Sequence, residues 1–146
     1  MKNLKLFVVV MVFLTLSKSY CFSQSSETSG GVDLSFLRGT TAFGFSARYE
    51  VPFKSSVKWM ATGGLGFGSG ITLLSLQGGA KYNFEGSDVY AGLEIGPLFL
   101  FGNGNSESRF TFTPQVGYRF DKFDVSLRYY VGNGVDFANL RFAYIF

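Results

Sequence analysis

Three carboxylates, Glu50, Glu94 and Asp124, stand among alternating apolar residues in this chain, and Arg48, Lys58, Lys81, Arg119, Arg128 and Arg141 share the same alternate positions. Carboxylates held beside cations can exchange protons with a substrate as general acids and bases. They can equally neutralise one another, because a charge withdrawn from water is costly unless it is paired. The second reading suits this sequence better, since zero histidines close off a Ser-His-Asp triad, a histidine base and a His-based zinc site. The stretch GGLGFGSG at 63–70 suggests a phosphate loop but lacks the Gly-x-Gly-x-x-Gly spacing and a following helix. It reads instead as close-packed strand backbone running into a tight turn.

The N-terminus removes further chemistry. Lys2 and Lys5 precede an apolar run from Leu6 to Leu14 that ends in SKSYCFSQ, the pattern of a cleaved secretory signal and too short for a membrane span. We expect residues 1–23 to be the signal, with cleavage after Ser23. Cys21 leaves with it, and the bulk of Tyr20 before it argues against lipid attachment at that cysteine. The mature chain then has no thiol for a disulfide or a metal. Losing Lys2, Lys5 and Lys18 also leaves ten basic residues against ten acidic ones, so the pI near 9.0 does not mark a nucleic-acid surface.

The elements that must position the charges are strands. After a polar leader at 24–31, large apolar residues alternate with small or polar ones at the period of two that belongs to β-structure. Eight strands are predicted, at 32–38, 42–51, 57–67, 72–84, 89–101, 109–120, 123–131 and 137–146. The turn signals between them are short enough for antiparallel neighbours, which predicts an up-and-down meander with no helix.

Alternation alone does not say which face points inward, and a soluble ligand carrier has the same period with its apolar face inside. Volume separates the two. Eight strands enclose a space only just wide enough for side chains to fill, and roughly twenty aromatic rings would not fit there. Gly44, Gly64, Gly66, Gly79, Gly92, Gly96 and Gly117 would. The rings are therefore expected outside, where only lipid tolerates them. The charged fraction of 16% agrees, being low against roughly 25% for a soluble domain.

That assignment predicts two aromatic girdles around an aliphatic waist of residues such as Leu76, Leu93, Val116 and Leu140. It also directs the nine charges into the lumen, with Glu50 opposite Lys58, Arg119 opposite Asp124, and cations in mild excess. Pro97 and Pro114 should produce a bulge or a break at one height. The short first strand should make closure against the eighth the weakest seam.

In these features the chain resembles the small eight-stranded outer-membrane barrels of Gram-negative bacteria, the OmpA transmembrane domain and OmpX group, over all of 32–146. In that family the last strand ends on an aromatic residue after alternate apolar ones, and Leu140, Phe142, Tyr144 and Phe146 match. The resemblance implies an assembly signal read by the barrel insertion machinery, an outer-membrane location, lipid as the main partner and no cofactor. It departs in its very short outer loops, which disfavours adhesion. A structural or interaction barrel with a filled lumen is the expected function, with a narrow passage for water, ions or small solutes as the alternative.

Overall fold

The computed structural model of the chain describes residues 25–102 and 104–146. The expected signal at 1–23 lies outside the described residues. Eight strands follow in order: β1 (Glu27–Leu37), β2 (Thr40–Pro52), β3 (Val57–Gly68), β4 (Ile71–Asn83), β5 (Val89–Gly102), β6 (Asn105–Phe120), β7 (Phe123–Gly132) and β8 (Val135–Ile145). Each pairs antiparallel with the next, and β8 returns to β1, so the sheet closes into the up-and-down barrel that the alternation predicts.

Inside and outside follow the residue parity of each strand. On β2 the outward Phe45 is 55% exposed while its inward neighbour Ser46 is 7% exposed. Outward rings gather in two bands. Tyr118, Phe120, Phe123 and Phe142 stack at 5.5 to 6.0 Å near the end that carries the termini, and Phe123 continues edge-on through Tyr144 to Phe146. Phe43, Phe45, Phe67, Phe110 and Phe112 occupy the opposite band, with Leu76, Leu93, Val116 and Leu140 exposed between the two. Among the described residues three aromatic side chains, Tyr90, Tyr130 and Phe137, turn inward and are buried.

The two ends differ. At the end with the termini, residues 53–56, 84–88 and 121–122 connect the strands. At the opposite end every connection is two residues long, and Gly39, Gly70, Gly104 and Gly134 close these turns with φ between 72 and 82°. That conformation is open to glycine without steric cost. The turn expected at 102–108 is shorter than that, since β5 reaches Gly102 and β6 begins at Asn105, and β6 runs on beyond β7, whose pairing with it begins at Thr111.

β1 begins at Glu27, five residues before Val32, because the apparent leader is strand with an unusually small face. Arg141 donates to Ser29 at 2.9 Å from inside. A Cβ on Gly31 would meet that of Ala143 at 2.7 Å. The closing seam therefore runs from Ser29↔Ile145 to Phe36↔Ala138. Phe146 fastens its end, with the backbone N–H donating to Thr28 O at 2.9 Å and the ring lying over the outward face of Gly30. The closure is continuous, and with eight paired positions it shares with β6–β7 the shortest ladder of the barrel, in line with the expectation of a weaker seam.

The prolines break the ladder without a bulge. Pairing of β4 with β5 skips Leu76 and Gln77 against Gly96 and Pro97. Pairing of β6 with β7 skips Thr113 and Pro114 against Tyr129 and Tyr130. Residue numbers match on both sides of each gap, so the register is kept. Nor do the prolines share a height, since Pro97 pairs with Phe110 and Pro114 with Leu93. Each turns its missing N–H away from the β5–β6 seam, which stays continuous. Within the first gap Gln77 Nε2 reaches Pro97 O at 3.5 Å and Thr111 donates to Gly96 O at 3.1 Å.

Inward glycines let the strands approach this closely. A Cβ on Gly79 would lie 1.9 Å from Leu93 O, whereas one on the outward neighbour Gly78 would meet nothing within 4 Å. Gly79→Ala should therefore destabilise the barrel by about 1 to 3 kcal/mol. Gly78→Ala should leave the urea unfolding midpoint of the refolded protein where it is.

Candidate functional site

The lumen is where the polar chemistry lies. It is layered along the barrel axis because consecutive inward positions on each strand step from one end toward the other. Nearest the termini, Lys58 and Arg119 each bond Glu27 at 2.7 Å. Arg119 also bonds Glu50 at 3.0 Å, and Lys81 bonds Glu50 at 2.7 Å while standing 4.3 Å above the ring of Tyr90. The expected pairing of Glu50 with Lys58 is displaced. Glu50 pairs with Met60 and Lys58 with Pro52, because the turn at 53–56 returns the chain two residues later. Lys58 Nζ then stands 4.0 Å from Glu50 and turns to Glu27. Arg119 does fall opposite Asp124, as expected, with Nε 3.9 Å from the carboxylate.

The middle layer is centred on Glu94, which is 0% exposed. Arg128 bonds it at 2.8 Å and Gln115 at 3.0 Å. Arg48 lies 3.6 Å away, and Thr62 donates its hydroxyl to the same carboxylate. Arg48 is itself held by Gln115 at 2.8 Å, Thr62 at 3.1 Å and the Tyr90 hydroxyl at 3.3 Å. Tyr90 passes the connection on, donating to Asp124 at 2.9 Å. Arg141 completes the layer with Ser46 and Ser29 at 2.9 Å and Asp124 at 3.4 Å. Tyr90 fits between these groups because its strand partner is Gly117, where a Cβ would lie 2.3 Å from the ring.

Above this the lumen turns neutral and then apolar. Gln77 bonds Thr111 and Thr113 at 3.1 Å. Beyond them Leu98, Tyr130 and Phe137 form a buried cluster, with Tyr130 and Phe137 stacked at 4.5 Å. At the rim the exposed arginines have acidic neighbours, Arg38 with Asp136 at 3.4 Å and Arg109 with Glu107 at 2.8 Å.

All nine charges expected in the lumen point into it: Arg48, Glu50, Lys58, Lys81, Glu94, Arg119, Asp124, Arg128 and Arg141. Two inward carboxylates escaped the sequence reading. Glu27 sat in the presumed leader. Asp33 has the inward parity on β1. With them the described lumen holds six cations against five anions, so the expected cationic excess shrinks to one. The four residues of the expected assembly signal, Leu140, Phe142, Tyr144 and Phe146, all face outward, on β8 and just beyond it.

No family model matches the chain. No curated protein matches it either. Solved structures do. The attachment invasion locus protein Ail of Yersinia pestis, solved with the heparin analogue sucrose octasulfate, superposes with a TM-score of 0.61 at 16% identity, covering 86% of this chain and 100% of that one. The fold is that of the small outer-membrane barrels. A de novo designed transmembrane β-barrel matches at a TM-score of 0.62 and 16% identity over 86% of this chain and 98% of its own. The N-terminal barrel domain of Pseudomonas aeruginosa OprF gives 0.55 and 16% over 84% and 98%.

The pairing predicts unequal costs for removing acidic partners. Glu94→Leu should lower the stability of the refolded barrel by roughly 3 to 5 kcal/mol, the range for uncovering a buried charge. Glu107→Leu at the rim should change it by less than about 1 kcal/mol. Urea titrations of the two variants side by side measure the contrast.

Proposed function

We propose that this chain is an integral outer-membrane barrel with a structural or interaction role, and that its lumen is closed to solutes. The observation that carries the second half is the filling of the cross-section. Arg48, Arg128 and Arg141, the largest side chains in the middle layer, are at most 1% exposed, and Arg48 reaches from β2 to Tyr90 and Glu94 on β5 and Gln115 on β6. A passage would have to break several charge-assisted bonds in low dielectric at once. Membrane insertion is supported by the outward bands of rings around an aliphatic waist, the surface that a bilayer favours.

Chemistry on a substrate finds little support. Each lumen carboxylate of the middle layer is occupied by arginine, and the sequence offers no histidine. Recognition of a polyanion, the ligand class in the Ail complex, finds little either, because the rim arginines already face carboxylates. The aromatic C-terminal strand would serve as the signal for the insertion machinery. A partner that uses the barrel would meet it through the outward face or the turns.

Two measurements test this reading. In planar bilayers the purified protein should give no reproducible discrete conductance, and steps abolished by bulk at Gly92 or Gly96 would establish a passage instead. Leu93→Arg, at the centre of the outward waist, should cost about 2 to 4 kcal/mol. It should also reduce the heat-dependent shift in gel mobility expected of a folded barrel. A variant that folds as well as wild type would show that this face does not meet lipid.

A further inference from the structure

Asp33 is the one lumen carboxylate, among the described residues, with both oxygens buried and neither bonded to a partner. It is 7% exposed. It lines a cavity with about 30 Å³ of room for water, together with Ser35, Ser46, Ser75, Arg128 and Asn139. Leu73, Leu98, Tyr130 and Phe137 also line it, each two residues nearer the turns than Ser75, Gly96, Arg128 and Asn139. The cavity thus lies between the middle charged layer and the apolar plug.

The bonding capacity left over in this cavity is mixed in sign. Asn139 Oδ1 accepts nothing, so three oxygens lack a donor. Arg128 Nε lacks an acceptor. Ser35 already accepts from Asn139 Nδ2 and Ser46 from Arg141 Nε, both at 2.9 Å, which leaves each hydroxyl proton free to be donated. A metal cation would satisfy only the oxygens and would face the guanidinium of Arg128. An anion would satisfy only the donors and would face Asp33. Water donates and accepts, and a water needs roughly 10 to 15 Å³ of such room together with two to four polar partners.

We infer that the cavity is a built hydration site, in which about two internal waters bridge the Asp33 carboxyl group to Arg128 Nε, Asn139 Oδ1 and the serine hydroxyls. Asp33 and Arg128 are then joined through water inside the barrel. The waters tie β1 to β7 over the inner face of β8, which lies between them, and no direct side-chain bond joins those two strands among the described residues.

The decisive experiment is a crystal structure of the wild-type protein, refolded in detergent in sodium chloride, at a resolution that shows ordered water. Density for two waters within hydrogen-bonding distance of Asp33 and Arg128 Nε is the expected result. An empty cavity, or a direct Asp33–Arg128 contact that fills it, overturns the inference. Thermal unfolding gives an independent reading. The midpoint should be equal in sodium, potassium and choline chlorides at matched ionic strength, and Asp33→Leu should lower it in all three. A midpoint raised by sodium or potassium alone, with the difference lost in Asp33→Asn, would identify a bound cation and remove the water bridge.

Discussion

The buried carboxylate of Glu94 is the point on which the lumen depends. Two arginines, a glutamine and a threonine converge on it from β7, β2, β6 and β3, so one anion draws together side chains from five of the eight strands. Such a group is held in its ionised form only by the completeness of its partners, since each bond is strong in a poorly screened interior and its loss is correspondingly severe. The surrounding choices follow from that centre. Gly117 is small so that Tyr90 can reach Arg48 and Asp124. Gly79 and Gly96 are small so that β4 and β5 can come together behind the network.

The outside obeys the opposite rule. A soluble domain collects its rings in a core, and this chain wears most of them on its surface, leaving Tyr90, Tyr130 and Phe137 within. Stability in water is thus a poor measure for this molecule. The hydrophobic term comes from what surrounds the barrel, and the cooperative polar term from what fills it.

Much of this was legible because the period of two assigns every strand residue to a face, and eight strands leave room inside for only one kind of face. The direction of all nine lumen charges and the opposition of Arg119 to Asp124 followed from parity and short turns. Register was less legible. Moving Lys58 from Glu50 to Glu27 depended on how the turn at 53–56 folds, with Phe53 and Lys54 both donating to Val57 O, and the local sequence does not specify that pattern. The start of β1 was hidden for a related reason: a strand whose inward positions are Ser29 and Gly31 has the composition of a leader. The effect of the prolines was visible only in outline, because which neighbour loses its hydrogen bond depends on the phase of the ladder.

The closing seam sets a kinetic condition on the whole molecule. Seven seams join strands that are neighbours in the chain, so each can form as a hairpin soon after its residues are available. The eighth cannot, since Arg141 and Ser29, which bond across it, stand 112 positions apart. Loop-closure entropy grows only logarithmically with length, but it must be met before any contact of that seam is gained. An unsealed intermediate would expose two long apolar strand edges together, the form most open to pairing with another copy. With the ring of Phe146 over Gly30, the seam is fastened at the end of β8.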